Sequence, residues 1–180
     1  HLCDRRQRQM CIRDRPIQIA FKPHPLLKSE LYTYPSWGKE KTDRYYSEWD
    51  SLSNTQLETG KYVDLFMTSD AMIHDCGSFT IEYHYTLKPV MYLVKREEHT
   101  KMMNRFAKEA YDLHYKGRNM RDIQRFIEDV VLENSDYLLE RRRLFLKSYL
   151  LPPNHQQATE NIIQAILGTG YYARKNRIGQ

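Results

Sequence analysis

The 180-residue chain has no run of about 18 apolar residues, the length that spans a bilayer. Its first twenty residues hold scattered arginines where a secretory signal would have a continuous apolar stretch. These absences predict a soluble protein that meets a membrane at most from its surface. Cysteine is scarce: Cys3, Cys11 and Cys76 are odd in number and not spaced as metal ligands, so a reducing cytoplasm is the default compartment. Among His84, His99, His114 and His155 no two residues stand at the i, i+4 spacing of a helical zinc site, and no metal is predicted. His74-Asp75 invites comparison with the metal-binding pair of helical phosphohydrolases, yet it ends a strand and not a helix. Internal repeats and low-complexity tracts are missing too. The fourteen tyrosines follow no ribonucleoprotein pattern, so nucleic acid is not an expected partner.

Positive charge is present but local. Of the net charge of +5, the first fifteen residues carry +3. That opening segment lacks periodicity, and Cys11-Ile12-Arg13-Asp14-Arg15 looks like translated adapter sequence. We therefore expect an unstructured or artefactual leader over 1–15, a Rossmann-like nucleotide-donor-binding domain over 16–168 truncated at its N-terminus, and a flexible tail over 169–180. The run Glu140-Arg141-Arg142-Arg143 reads as the solvated face of a helix. Arg141 to Lys147, with leucine and phenylalanine beside them, also form a surface able to dock on a lipid headgroup layer.

What is there is an α/β pattern. Ile17, Ile19 and Phe21 alternate as a strand that Lys22-Pro23-His24-Pro25 must end, because proline cannot donate to a ladder. A short helix is expected over 26–34, and the polar, tyrosine-rich stretch 41–57 has a weak helical pattern with no clear core face. Tyr62, Leu65 and Phe66 make a short helical face. Ala71-Met72-Ile73 reads as a buried strand leading into His74-Asp75-Cys76-Gly77-Ser78. A helix with Phe79, Tyr83 and Leu87 on one stripe follows, with Gly77-Ser78 as its N-cap region. Lys88-Pro89 stops it, and Val90 to Val94 is apolar enough for a strand buried on both faces. Strand, turn, helix and strand make a βαβ unit, expected to cross over right-handed. Beyond it the chain reads as helical, with apolar stripes over Met103–Ala110 and Ile123–Val131, a helix over Tyr137–Leu150 broken by Pro152-Pro153, and a last one over Ala158–Leu167 stopped by Gly168.

Two segments can carry chemistry. Lys22 and His24 stand at the carboxyl end of the first strand, where open α/β sheets place their ligands, and an imidazole there can donate to a phosphate or carry a proton. The plainer reading is a surface histidine in a proline-rich turn. Asp75 to Glu82 also follows a strand and opens a helix: Gly77 admits close backbone approach, the first helical amides lack partners, Ser78 adds a hydroxyl, and Glu82 lies one turn on, in reach of ribose hydroxyls. The alternative here is an N-cap followed by a solvated glutamate.

Taken together, Phe21–Pro25 and Tyr62–Val94 resemble the paired motifs of the CDP-glycerol glycerophosphotransferase family, the polymerases and primases of teichoic-acid-type polymers of the cell wall. In that family a strand ends in Lys-Pro-His-Pro, and an Asp-Tyr-Ser-Ser-like segment opens a helix that carries an Asp or Glu before Lys-Pro and an apolar strand. Here Cys76-Gly77 replace Tyr-Ser, and Glu82 stands where Asp is commoner, which marks a divergent subgroup. The resemblance implies the carboxy-terminal half of a GT-B fold, a parallel sheet with flanking helices and a helical C-terminal tail. It implies transfer of glycerol phosphate from CDP-glycerol to a polymer or lipid-linked acceptor, at the inner face of the membrane. His24 would be the catalytic residue, and Lys22, His24, Asp75, Gly77, Ser78, Phe79 and Glu82 would bind the donor. Within that set His24 and Ser78 meet diphosphate oxygens, Gly77 and Phe79 supply amides, Glu82 takes ribose or glycerol hydroxyls, and Asp75 shapes the turn. The general base is expected on a facing N-terminal GT-B domain that this chain lacks, so the chain alone should bind donor weakly and not turn over. No tightly bound cofactor is expected; diphosphate chemistry is compatible with a divalent ion, but no acidic cluster is arranged to hold one. Two other readings stay open, a GT-B sugar-nucleotide glycosyltransferase or UDP-sugar epimerase, and a non-catalytic interaction domain on the same scaffold.

Overall fold

Residues 17–95, 97–152, 154 and 156–167 are described in a computed structural model. The leader 1–15 with Cys3 and Cys11, Pro153, His155, Gly168, the tail 169–180 and the side chain of His99 lie outside the described residues. The chain divides between Leu65 and Phe66 into two compact units.

The first unit is built on β1 (Ile19–Phe21) and β2 (Thr55–Leu57), paired in parallel with Phe21 beside Leu57. Parallel neighbours need a long crossover, and α1 (Leu27–Thr33) with α2 (Gly38–Ser51) supply it. The tyrosine-rich stretch thus resolves into a helix and then a strand. Its core face was hidden because aromatic rings, not aliphatic side chains, form it. Phe21 stacks on Trp49 at 4.8 Å and meets Tyr45 and Tyr46 edge-on, and Tyr46 is buried. Gly38 opens α2 with φ +70°, a conformation that disfavours any side chain. On the exposed side Asp43 gathers Tyr32 (2.6 Å), Lys39 (2.7 Å) and Lys28 (3.2 Å). The Lys39 hydrogen bond, followed by that of Tyr32, holds its carboxyl well below the usual carboxylate range.

After α3 (Val63–Thr68), the second unit forms a three-stranded parallel sheet in the order β3 (Met72–His74), β4 (Val90–Leu93), β5 (Tyr115–Gly117). The expected β3–helix–β4 unit is present. Its crossover is α4 (Phe79–Glu82), tightening into a 3-10 turn over Tyr83–Thr86 and ending at Leu87 in the left-handed region, φ 59°. After a 3-10 turn over Glu97–Met102, α5 (Arg105–Tyr111) leads into β5. This strand lies in the region read as wholly helical; Tyr115-Lys116-Gly117 has neither an apolar run nor flanking alternation to mark it. Then come α6 (Met120–Arg125) with a π-helical continuation over Phe126–Leu132, α7 (Leu139–Phe145) with another over Leu146–Leu150, and α8 (Ala158–Ile166). Asn104 and Asn119 cap α5 and α6 by accepting the amides of Ala107 and Asp122. Parallel sheets flanked by helices make this the Rossmann-like α/β class the sequence pattern predicts.

Alternation along the strands gives the sheet two different faces. One carries Met91 and Tyr115 into a core with Phe126, Val130 and Leu138. Gly117 lies on that face, where an added Cβ would come within 2.7 Å of the Met91 sulfur and 3.0 Å of Leu93 Cδ2. Gly117→Ala is therefore expected to cost about 1–3 kcal/mol as an overpacking substitution, despite alanine's lower chain entropy. A urea denaturation midpoint unchanged from the parent would contradict that. The opposite face aligns His74, Tyr92 and Lys116 across three strands.

Candidate functional site

In the first unit, the chain leaves β1 and turns at once. Lys22 donates its ammonium to the Gly60 carbonyl at 2.6 Å, which ties the turn to the segment after β2. His24 is exposed, and its Nδ1 accepts the Leu26 amide at 3.2 Å. A ring nitrogen that accepts an N–H carries no proton, so the imidazole presents Nε2–H as its donor. The two prolines and this bond fix where that donor points.

In the second unit the turn 75–78 lies beyond the carboxyl end of β3. Asp75, Gly77 and Ser78 are exposed, Phe79 is half-buried, Thr80 is buried and Glu82 is exposed. Ser78 occupies the N-cap position, but it has helical angles and makes no capping hydrogen bond. Its hydroxyl pairs instead with the Cys76 sulfur at 3.1 Å. Since α4 has four residues, little macrodipole accumulates. Any anion affinity comes from the turn itself, where the amides of Gly77 and Ser78 enter no hydrogen bond among the described residues. Lys95, just past β4, is ion-paired with the Asp75 carboxylate. Its charge faces the same turn.

Beneath the turn are residues that the sequence did not place among those binding the donor. His74 is 8 % exposed and its Nδ1 donates to the Cys76 carbonyl at 3.0 Å. Thr80 Oγ1 reaches the same carbonyl at 3.4 Å, and Tyr92 Oη donates to the Asp75 carbonyl at 3.3 Å. Burial pushes the His74 imidazole down to about 4, so it is neutral at physiological pH. Further in, His114 packs against His74 (5.2 Å between rings) and His84 against His114 (4.8 Å). Lys116 donates to the carbonyls of Tyr111 and His114 and lies 3.6 Å from the Tyr111 ring centre. Burial lowers its ammonium to about 8, which leaves it charged at neutral pH. The only sequence signal for Tyr92 was a hydroxyl-bearing ring in an otherwise apolar strand.

The CDP-glycerol:poly(glycerophosphate) glycerophosphotransferase family model matches residues 6–168, which takes in both turns and every strand. The chain belongs to this family. Searches of curated proteins and of solved structures find no match. Family membership makes the chain transferase-like and designates a CDP-linked donor with a polymer acceptor as the family's substrates. Lys22 and His24 belong to the first unit and Asp75, Gly77, Ser78, Phe79 and Glu82 to the second. Within the second unit the latter five share one turn and the helix it opens. An apolar groove of about 440 Å³ between Tyr149–Pro152 and α8 includes none of these residues. Among the described residues no three His, Cys, Asp or Glu side chains are grouped to hold a metal ion, and no helix is long and apolar enough to cross a membrane.

Proposed function

We propose that this chain is the donor-binding half of a glycerophosphotransferase, a GT-B domain that holds CDP-glycerol while an acceptor hydroxyl of a cell-surface polymer attacks it. The observation that carries the reading is the family match over 6–168, which spans both motif turns. In the reaction the acceptor oxygen bonds to the phosphorus bearing glycerol, the bond from that phosphorus to the CMP oxygen breaks, and the acceptor proton passes to a base on a facing domain. Catalysis is then positioning plus charge stabilisation on the diphosphate.

In the second unit the Ser78 hydroxyl and the Gly77 and Phe79 amides donate to diphosphate oxygens and Glu82 accepts from ribose or glycerol hydroxyls; in the first, His24 offers Nε2–H as a phosphate donor. Lys22 contributes positive charge, while Asp75, held by Lys95, shapes the turn. The positive charge comes from side chains and amides, with no resident cofactor in the scheme. Work at the inner face of the membrane follows if the acceptor is lipid-linked, with Arg141, Arg143, Leu144 and Lys147 as the contacting side chains, since Arg142 and Phe145 in the same run are buried.

Calorimetric titration tests this, with CDP-glycerol against CMP and UDP-N-acetylglucosamine. Preference for CDP-glycerol is expected. His24→Ala and Ser78→Ala should each weaken binding by about 1.5–3 kcal/mol, the range for hydrogen bonds to charged groups. The titration is made on a full-length version that carries the facing domain; preference for the UDP-sugar would move the protein to sugar-nucleotide chemistry, and absence of binding by that protein when folded would leave an interaction domain.

A further inference from the structure

The turn 75–78 has no regular secondary structure to hold it, yet its carbonyls are not left to solvent. The Cys76 carbonyl takes hydrogen bonds from His74 Nδ1 (3.0 Å) and Thr80 Oγ1 (3.4 Å), and the Asp75 carbonyl takes one from Tyr92 Oη (3.3 Å). All three donors come from the interior side, since His74 and Thr80 are buried and Tyr92 is 5 % exposed. A peptide unit is planar with its N–H opposite its C=O. Fixing the carbonyls of Asp75 and Cys76 inward therefore turns the amides that follow them, those of Cys76 and Gly77, outward.

The His74 ring is itself clamped. Tyr92 meets it edge-on at 5.2 Å and 81°, His114 packs at 5.2 Å, and Nδ1 must carry the proton because a carbonyl can only accept. That leaves Nε2, buried and without a partner among the described residues. A ring so enclosed does not reach the turn's outer surface and cannot carry a proton for the reaction. It can set the geometry of the turn.

We propose that His74 is a positioning residue of the donor site, holding the Cys76 carbonyl so that the Gly77 amide is presented to a diphosphate oxygen, with Tyr92 as its partner on the Asp75 carbonyl. The proposal rests on the donor-site reading above. It goes further in assigning the turn's anion affinity to two interior donors on β3 and β4 and not to the helix that follows. A buried hydrogen bond to a turn carbonyl acts on ligand affinity only through geometry, so the substitute's shape matters. Asparagine carries its amide nitrogen at the branch position that Nδ1 occupies in histidine; glutamine carries it one bond further out, near Nε2.

The test is an NMR titration of the 180-residue chain with CDP-glycerol, following the Gly77 and Ser78 amide signals, alongside thermal melts. The set is the parent, His74→Asn, His74→Gln, His74→Leu, Tyr92→Phe and Ser78→Ala. We expect His74→Asn to stay within about threefold of the parent affinity. His74→Gln and His74→Leu should lose about tenfold or more, and Tyr92→Phe two- to fivefold, with no matching order in melting temperature. Should His74→Leu fail to fold, the Asn and Gln pair and Tyr92→Phe decide. Parent-like affinity in His74→Gln and Tyr92→Phe, with loss in Ser78→Ala, overturns the positioning role and leaves the donor site standing. An affinity order that follows the melting temperatures makes His74 a core residue only and overturns it as well. No shift of either amide in the parent at millimolar CDP-glycerol overturns the donor-site reading and this proposal with it.

Discussion

Arg142→Met is expected to destabilise the second unit by about 3–5 kcal/mol, the cost of leaving one partner of a buried ion pair alone. Arg142 is fully buried on α7 and ion-paired with Asp136, whose side chain is 9 % exposed. Its Nε and Nη2 also donate to the Leu87 carbonyl at 3.4 and 3.3 Å, where the β3–β4 crossover ends in a left-handed residue. Asp136 in turn accepts from Tyr115 Oη (3.0 Å) and the Leu138 amide (3.2 Å). One guanidinium thus joins the end of the crossover, β5 and the start of α7. Methionine keeps most of the volume but leaves the Asp136 carboxylate buried without its counter-charge. Asp136→Asn, which keeps hydrogen bonding and removes that charge, leaves Arg142 unpaired and should cost a similar amount. Chemical denaturation of both variants measures the effect. A loss under about 1 kcal/mol in either would mean that water reaches the pair and that burial here is not what matters.

The second large effect is on acid stability. His74, His84 and His114 are all buried, and each donates one ring nitrogen to a carbonyl, His74 to Cys76 and the other two to Ala110 at 3.0 Å. The other ring nitrogen of each has no partner among the described residues. Burial lowers His74 and His84 to about 4 and His114 well below its ordinary value. Arg142 and Lys116 push His84 the same way, His84, His74 and Lys116 do so for His114, and the Cys76 hydrogen bond and the Asp75 charge beside His74 work against its burial. Unfolded, each histidine titrates near 6.5. Between that value and about 4 the unfolded chain binds more protons than the folded one, so stability is complete above pH 6.5 and is lost as pH falls. The slope approaches about 1.4 kcal/mol per pH unit for each histidine. Three together would remove much of a typical domain's roughly 5–15 kcal/mol before pH 4.5. Melting temperature should therefore drop steeply below pH 6. His114→Leu, which leaves His84 on the Ala110 carbonyl, should flatten that drop by about a third. A melting temperature level down to pH 5 would show the three rings to be hydrated.

These two networks are where the sequence was least legible. Arg142 sits in Glu140-Arg141-Arg142-Arg143, a run that reads as a solvated face, and for Arg141 and Arg143 that holds, since both are exposed. Helical spacing turns the middle residue inward, but only Asp136 and the Leu87 carbonyl make its burial tolerable, and Leu87 is 55 residues away. The histidines share this character. Their positions at 74, 84 and 114 show no local spacing, and they meet because β3, the 3-10 turn after α4 and the end of α5 converge on one face of the sheet.

From the sequence by itself followed the α/β class, the strand–turn–helix–strand unit from Met72 to Leu93, the C-terminal helix and the family, because these rest on local periodicity, on proline and glycine as stops, and on two contiguous motifs. Only the tertiary structure decided that 55–57 and 115–117 are strands, since Thr55-Gln56-Leu57 and Tyr115-Lys116-Gly117 lack the flanking alternation of 17–21 and the apolar run of 71–73, and parallel neighbours alone define them. It alone decided which arginine is buried, and it alone put His74 and Tyr92 under the turn at 75–78. Hydrogen bonds between residues 17 and 55 positions apart depend on how elements pack, and no local pattern in a chain encodes that.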